Sequence, residues 1–153
     1  MPTVQVIATT SAPAEQVVAA AHDFSARRAD LWPDVHVEHL AIHDIGETHA
    51  EVTEGNPFPG LGIVWERLRY DWSRPGTVKG TVVDSNLFGP GSSWELRARA
   101  AEGHTVVDVI AVRRLKGKGR LLTPIFPLGL AKRMVTLHLR HFLSQVEKQA
   151  AAT

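Results

Sequence analysis

The sequence contains no cysteine, and only 7% of its 153 residues are aromatic. The absence of cysteine excludes disulfide scaffolds, thiolate zinc sites and cysteine nucleophiles. The net charge is also small, because 17 Lys and Arg residues nearly balance 16 Asp and Glu residues and leave a formal charge of +1. A chain this close to neutral is not expected to bind nucleic acid.

Long apolar runs are absent as well. The most apolar stretch, residues 121–130, contains two prolines and is about half as long as a membrane span. Met1-Pro2-Thr3 lacks the basic region of a secretory signal, so we expect a cytoplasmic protein. The chain does have 44% hydrophobic residues and no visible linker or repeat, which predicts a single domain over residues 1–153.

The hydrophobic pattern predicts one strand, two short helices and then six more strands. Residues 3–9 alternate as a strand does, Ser11-Ala-Pro-Ala-Glu begins a helix that reaches Phe24, and residues 25–31 predict a second helix. Glycine and proline between the later strands imply antiparallel hairpins. These strands cover residues 35–44, 48–54, 63–72, 77–85, 92–101 and 104–115. The loops Gly55–Gly62 and Asn86–Gly91 are expected to act as movable gates.

A long amphipathic helix begins after Pro127 and continues to Glu147. Its apolar arc is broader than a flat sheet requires, because Leu130, Met134 and Leu137 widen the main stripe. The expected fold is therefore α+β, with a curved seven-stranded antiparallel sheet wrapped around the C-terminal helix and a hollow between them.

Several local motifs carry a family resemblance: Ser11-Ala-Pro-Ala-Glu-Gln-Val, Asp23-Phe, Leu31-Trp-Pro-Asp-Val and a final helix ending at Val146-Glu147. With this order of elements, the sequence resembles the START-like (SRPBCC) superfamily, and within it the polyketide cyclase/dehydrase-like proteins. The resemblance implies a helix-grip fold with an internal apolar cavity for a lipid, sterol, polyketide or other hydrophobic molecule. No catalytic residue is carried over from the family, and no cofactor is expected.

Glu66 is the first candidate for chemistry in such a cavity. It has the same strand parity as Leu68 and Tyr70, so it faces the cavity if they do. A buried carboxyl has a raised pKa and suits proton transfer or contact with a ligand hydroxyl. Alternatively, Arg97 or Arg99 pairs with Glu66 on the wet face, or a bulge reverses the parity.

Asp108 and His138 are further candidates whose positions the pattern leaves open. Asp108 has apolar neighbours on both faces of its strand, so a cavity position and a cross-strand partner are both possible. His138 falls within the apolar stripe of the final helix, where it could contact a ligand or be satisfied by the backbone. The expected cavity lining is Glu66, Leu68, Tyr70, Trp94, Leu96, Asp108, Met134, His138 and Phe142.

Neither the histidines nor the basic residues establish another activity. Of His36, His39, His43 and His49, only His39 and His43 share a strand face, so no metal site is expected. Five basic residues precede the apolar run at residues 121–130 and predict either a solvated connection or weak contact with an anionic membrane. They are Arg113, Arg114, Lys116, Lys118 and Arg120.

The expected function is binding of one hydrophobic small molecule inside the fold. Two alternatives remain open: an enzyme of the polyketide cyclase/dehydrase type that acts on such a molecule, and a lipid carrier that docks on membranes through residues 113–126. The fold alone does not decide between them.

Overall fold

A computed structural model describes residues 3–58, 60–117 and 128–152 of the chain. The elements in chain order are β1 (Thr3–Thr10), α1 (Ala14–Ala21), α2 (Arg28–Leu31), a 3₁₀ helix (Val37–His39), β2 (Ala41–Ile45), β3 (His49–Phe58), β4 (Gly62–Asp71), β5 (Thr77–Ser85), β6 (Ser93–Ala101), β7 (His104–Val112) and α3 (Leu128–Ala151). Within these ranges, no helix has both the length and the apolar character needed to cross a bilayer.

The seven strands form one antiparallel sheet in the order β1-β7-β6-β5-β4-β3-β2. Alternate residues face inward, so Val6 pairs with Val109 and Val109 with Leu96 in one buried layer. This layer packs against Leu139 and Phe142 of α3, and the sheet curves around the helix. The predicted helix-grip fold is confirmed.

Two predicted boundaries near the start of the sheet are wrong. The predicted strand 35–44 begins only at Ala41, because Val37–His39 form a 3₁₀ helix. Most of the predicted loop Gly55–Gly62 is strand, since β3 continues to Phe58 in regular pairing with β4. Cross-strand hydrogen bonding here outweighs the loop preference of glycine and proline.

The second predicted gate, Asn86–Gly91, is hydrogen-bonded to neighbouring segments on both sides. The side chain of Asn86 donates to the carbonyl of Ile63 at 2.7 Å and accepts from the N–H of Trp65 at 3.0 Å. On the other side, the loop backbone donates to the carbonyl of Arg114 at 2.7 Å. The loop therefore ties β4 to the segment after β7.

Helix α3 uses a narrower apolar stripe than the sequence suggests. Leu139 and Val146 are buried, whereas Leu130, Met134 and Leu137 are exposed. At about 100° per residue, Leu137 points roughly 160° away from Leu139. Met134, which the expected lining includes, is 42% exposed.

Gly80 leaves room for two rings on the inner face. It pairs across the sheet with Tyr70 on one side and Trp94 on the other. A Cβ atom at this position would lie 2.7 Å from Tyr70 Cε1 and 3.0 Å from Trp94 Nε1. We predict that Gly80→Ala lowers the free energy of unfolding by about 1–3 kcal/mol, because a packed ring must move. Urea denaturation measures this change.

Gly129→Ala is the matched control for the same substitution. A Cβ atom at Gly129 would meet nothing within 4 Å. Alanine is also the better helix former, so the stability should stay the same or rise slightly. An equal loss of stability in both variants would contradict the steric explanation.

Candidate functional site

Two glutamates face each other on the inner side of the sheet. The register of β3 and β4 places Glu54 directly opposite Glu66, in the same inward layer as the buried Leu68. Within the described strands, these are the two charged side chains that point inward. Arg28 of α2 pairs with Glu54, and Arg113 from the segment after β7 pairs with Glu66.

The guanidinium of Arg28 is almost completely enclosed, since its side chain is 1% exposed. Its Nε donates to Glu54 Oε1 at 2.5 Å, and its Nη2 donates to the hydroxyl of Tyr70 at 3.0 Å. Its Nη1 donates to the carbonyls of Ala21 and Asp23, at the C-terminal end of α1, at 3.1 and 3.3 Å. A cation is favoured at that end of a helix because unpaired carbonyls concentrate negative charge there.

Tyr70 acts as a neutral hydrogen-bond donor in this network. Its hydroxyl donates to both carboxylate oxygens of Glu54, at 3.2 and 3.1 Å. Burial raises the pKa of the Tyr70 phenol, and the negative charge of Glu54 raises it further. The phenol therefore stays protonated at physiological pH and stabilises the Glu54 carboxylate.

The Glu66–Arg113 pair is more accessible than the Arg28 network. Arg113 Nη1 donates to Glu66 Oε1 at 2.6 Å, and the side chains of Arg113 and Glu66 are 36% and 16% exposed. The Arg113 guanidinium also lies 4.8 Å from the centre of the Phe88 ring. Burial raises the pKa of the Glu66 carboxyl; Arg113 opposes this effect, and the charges of Glu54 and Asp34 add to it.

Four aromatic rings connect α3 to the polar residues of the sheet. Trp32 stacks on Phe142 of α3 with ring centres 4.3 Å apart, and its ring lies 5.6 Å from Trp94. Trp94 in turn meets Tyr70 edge-on at 5.7 Å. The indole N–H of Trp32 is buried and has no hydrogen-bond partner among the described residues. The four rings form a continuous aromatic layer, in which the indole N–H of Trp32 is a hydrogen-bond donor without an acceptor among the described residues.

Most of the predicted lining residues lie on the inner face. Among them, Leu68, Tyr70, Leu96 and Phe142 are fully buried. Glu66, Trp94 and His138 are partly buried, with His138 beside the buried stripe of α3. In the described part of the chain, the ion-pair partner of Glu66 is Arg113, not Arg97 or Arg99 on the outer face.

Asp108 does not belong to this group, which corrects the expected lining. It lies on the outer face of β7, because its neighbours Val107 and Val109 point inward. Gln5 Nε2 donates to both oxygens of its carboxylate, at 3.0 and 3.1 Å. The cross-strand partner that the sequence left open is therefore what the structure contains.

Arg28 and Glu54 were not predicted as site residues, and Arg113 was expected in either a solvated connection or a segment that contacts an anionic membrane. Arg28 belongs to a four-residue helix, too short to show a period. The position of Glu54 opposite Glu66 follows only from the β3–β4 register. One feature of the sequence could have predicted the pairing of Glu54 with Glu66. The uncharged residues 55–65 lie between these two glutamates, and a hairpin centred on residue 60 places the two opposite each other. Lys118 and Arg120 lie outside the described residues.

The four histidines of the 36–49 region do not converge. The rings of His36 and His39 are 6.5 Å apart, and His43 hydrogen-bonds to Thr53. No group of three or more His, Asp or Glu side chains in the described part of the chain is arranged to hold a metal ion.

Known structures share this architecture at low sequence identity. No protein-family model matches the chain, and no curated protein matches it at a significant level. TTHA0849 from Thermus thermophilus matches with a TM-score of 0.74 and 16% identity, over 99% of this chain and 98% of that one. A START superfamily protein from Mycobacterium smegmatis matches with a TM-score of 0.70 and 12% identity, over 98% and 97% of the two chains.

The Zhui aromatase/cyclase from Streptomyces sp. R1128 matches with a TM-score of 0.65 and 21% identity, over 97% of this chain and 93% of that one. These likenesses establish the fold. The chain has the helix-grip fold of these START superfamily and aromatase/cyclase structures.

Replacing Arg28 tests the enclosed network. We predict that Arg28→Met lowers the free energy of unfolding by about 3–5 kcal/mol, because it leaves the Glu54 carboxylate buried without a cation. The double variant Arg28→Met/Glu54→Gln should recover part of this loss. Arg27→Met is the control, since the Arg27 side chain is 68% exposed and contacts Asp23 at the surface. Comparable losses in Arg28→Met and Arg27→Met would refute the network's role.

The pH dependence of stability tests the state of Glu66. A carboxyl whose folded pKa is raised stabilises the fold below its ordinary value of 4.5, and this contribution is lost as pH rises through the folded pKa. The stability of the wild type minus that of Glu66→Gln should therefore fall as pH rises from about 4 towards neutrality. Urea denaturation of both proteins over this range gives the difference.

Glu51→Gln is a control of opposite sign. Hydrogen bonds from Arg67 lower the pKa of the Glu51 carboxyl, so its contribution is present above the ordinary value and is lost as pH falls through the folded pKa. The stability of the wild type minus that of Glu51→Gln should rise with pH. If both differences run in the same direction, the explanation for Glu66 is wrong.

Proposed function

We propose that the protein binds one hydrophobic small molecule between the inner face of the sheet and α3, with the Glu66–Arg113 pair contacting a polar group of that molecule. The observation that carries the proposal is the accessibility of inward-facing residues. Glu66, Arg113 and Trp94 lie on the inner side yet keep some exposure, whereas Leu96 and Phe142 are sealed. An apolar space with a few accessible polar groups is typical of a ligand pocket.

Apolar contact would supply most of the affinity in this arrangement. The proposed contacts are Glu66, Trp94 and His138, which keep some exposure, whereas Leu68, Tyr70, Leu96 and Phe142 belong to the buried layer that supports them. Burial of apolar surface contributes roughly 25 cal/mol per Å² before ordering costs, and flat rings would stack well on Trp94. The unpartnered indole N–H of Trp32 favours a ligand that carries an acceptor oxygen. A cytoplasmic location is part of the same proposal.

An enzyme of the cyclase type is the second candidate, and Glu66 is the residue that favours it. A carboxyl with a raised pKa keeps its proton at higher pH than usual and can deliver it to a carbonyl oxygen. The solved structures with this fold include an aromatase/cyclase. Tyr70 is less suited to this role, because its hydroxyl is enclosed by Arg28 and Glu54.

Titration with the neutral dye Nile red tests the pocket directly. Wild-type protein should bind the dye and shift its emission, and Trp94→Leu should bind it about tenfold more weakly because stacking surface is lost. Trp65→Leu is the matched control, since Trp65 is a partly buried tryptophan on the opposite face of the sheet. A wild type that does not bind the dye, or equal losses in both variants, would overturn the proposal.

Glu66→Gln separates the two candidates. The variant keeps the size of the side chain but cannot donate and regain a proton as a carboxyl does. A binding protein should keep most of its dye affinity in this variant. An enzyme should lose turnover of an aromatic polyketide-like substrate while it still binds the dye, and unchanged turnover would remove Glu66 from the mechanism.

A further inference from the structure

The hairpin between β3 and β4 exposes an apolar tip. Residues 55–65 carry no charge, although 22% of the chain is charged. At the tip, the side chains of Phe58, Leu61 and Ile63 are 37%, 57% and 41% exposed. Clustered apolar side chains of this size usually mark a surface that contacts something other than water.

Basic residues reach the same end of the sheet. Asn86 joins the loop after β5 to Ile63, and the N–H of Lys116 donates to the carbonyl of Leu87 in that loop at 3.0 Å. Arg114 and Lys116 are both exposed there. Asp84 lies 3.9 Å from Lys116 and offsets part of its charge.

The first half of α3 points towards this end as well. Thr10 donates to Glu147 at 2.7 Å at the far end of the sheet, where β1 finishes. With a rise of about 1.5 Å per residue, Leu130 lies roughly 25 Å from Glu147, towards the hairpin. Leu130, Met134 and the pair Lys132-Arg133 are exposed, and no acidic residue precedes Glu147 in the helix.

We propose that this end of the molecule docks on a lipid surface that contains anionic lipids. The apolar tip would enter the interfacial region, while Lys116, Lys132 and Arg133 would face the headgroups; apolar and cationic side chains together bind such surfaces. A second copy of the chain fits less well, because two facing copies would bring like charges together. The inference goes beyond the proposed function, since it concerns an outer surface and holds for any ligand.

Sedimentation with vesicles tests the docking surface. The protein should bind vesicles of phosphatidylcholine mixed with phosphatidylglycerol more tightly than pure phosphatidylcholine vesicles, and salt should weaken this binding. Lys132→Gln/Arg133→Gln should weaken it by about tenfold or more, because each cation near an anionic surface contributes appreciably. Phe58→Ser/Leu61→Ser should produce a comparable loss.

Ile42→Ser/Ile45→Ser is the matched control. Both isoleucines are exposed on β2, where Ile45 pairs with Ala50 at the end of β3 away from the tip, so vesicle binding should not change. Absence of binding to the anionic vesicles, or equal binding by all the variants, would overturn the proposal. Self-association that depends on Phe58 and Leu61 in the absence of lipid would overturn it in favour of a second copy. Nile red binding by Phe58→Ser/Leu61→Ser is measured as well. A variant that binds Nile red but not vesicles has lost docking while its pocket remains intact.

Discussion

The guanidinium of Arg28 joins parts of the chain that are far apart in sequence. It holds the carbonyls at the end of α1, the carboxylate of Glu54 on β3 and the hydroxyl of Tyr70 on β4. Glu54 lies directly opposite Glu66, and its charge adds to the effect of burial on the pKa of the Glu66 carboxyl. The Arg28 network thus fixes a charged neighbour of Glu66, while burial remains the main cause of its raised pKa.

The two arginine–glutamate pairs differ in their accessibility to solvent. Arg28 is sealed and donates to four acceptors, so exchanging its partner for a ligand would cost these enclosed hydrogen bonds. Arg113 keeps part of its surface in contact with solvent and makes one ion pair with Glu66. Replacing that contact by a ligand would cost less, and the proposed recognition through Glu66 and Arg113 rests on this difference.

The periodicity of apolar residues predicted the strands and the final helix. For Glu66, an inward position was one of the alternatives that it left open. It could not place Asp108, because Val106 and Ile110 give the outer face of β7 an apolar character as well. Periodicity could not predict the Arg28–Glu54 contact, because this contact depends on the hairpin register and on the position of a four-residue helix. Residues fixed by periodicity were predictable, whereas those fixed by contacts between distant segments were not.

We propose that a hydrophobic molecule binds between the sheet and α3. Extraction of the purified protein with organic solvent, followed by mass spectrometry of the extract, tests it most directly. We expect one hydrophobic compound with a polar oxygen function, released in an amount comparable to that of the protein. Extracts that are repeatedly empty, from protein that also takes up no such compound when it is supplied, would contradict the claim.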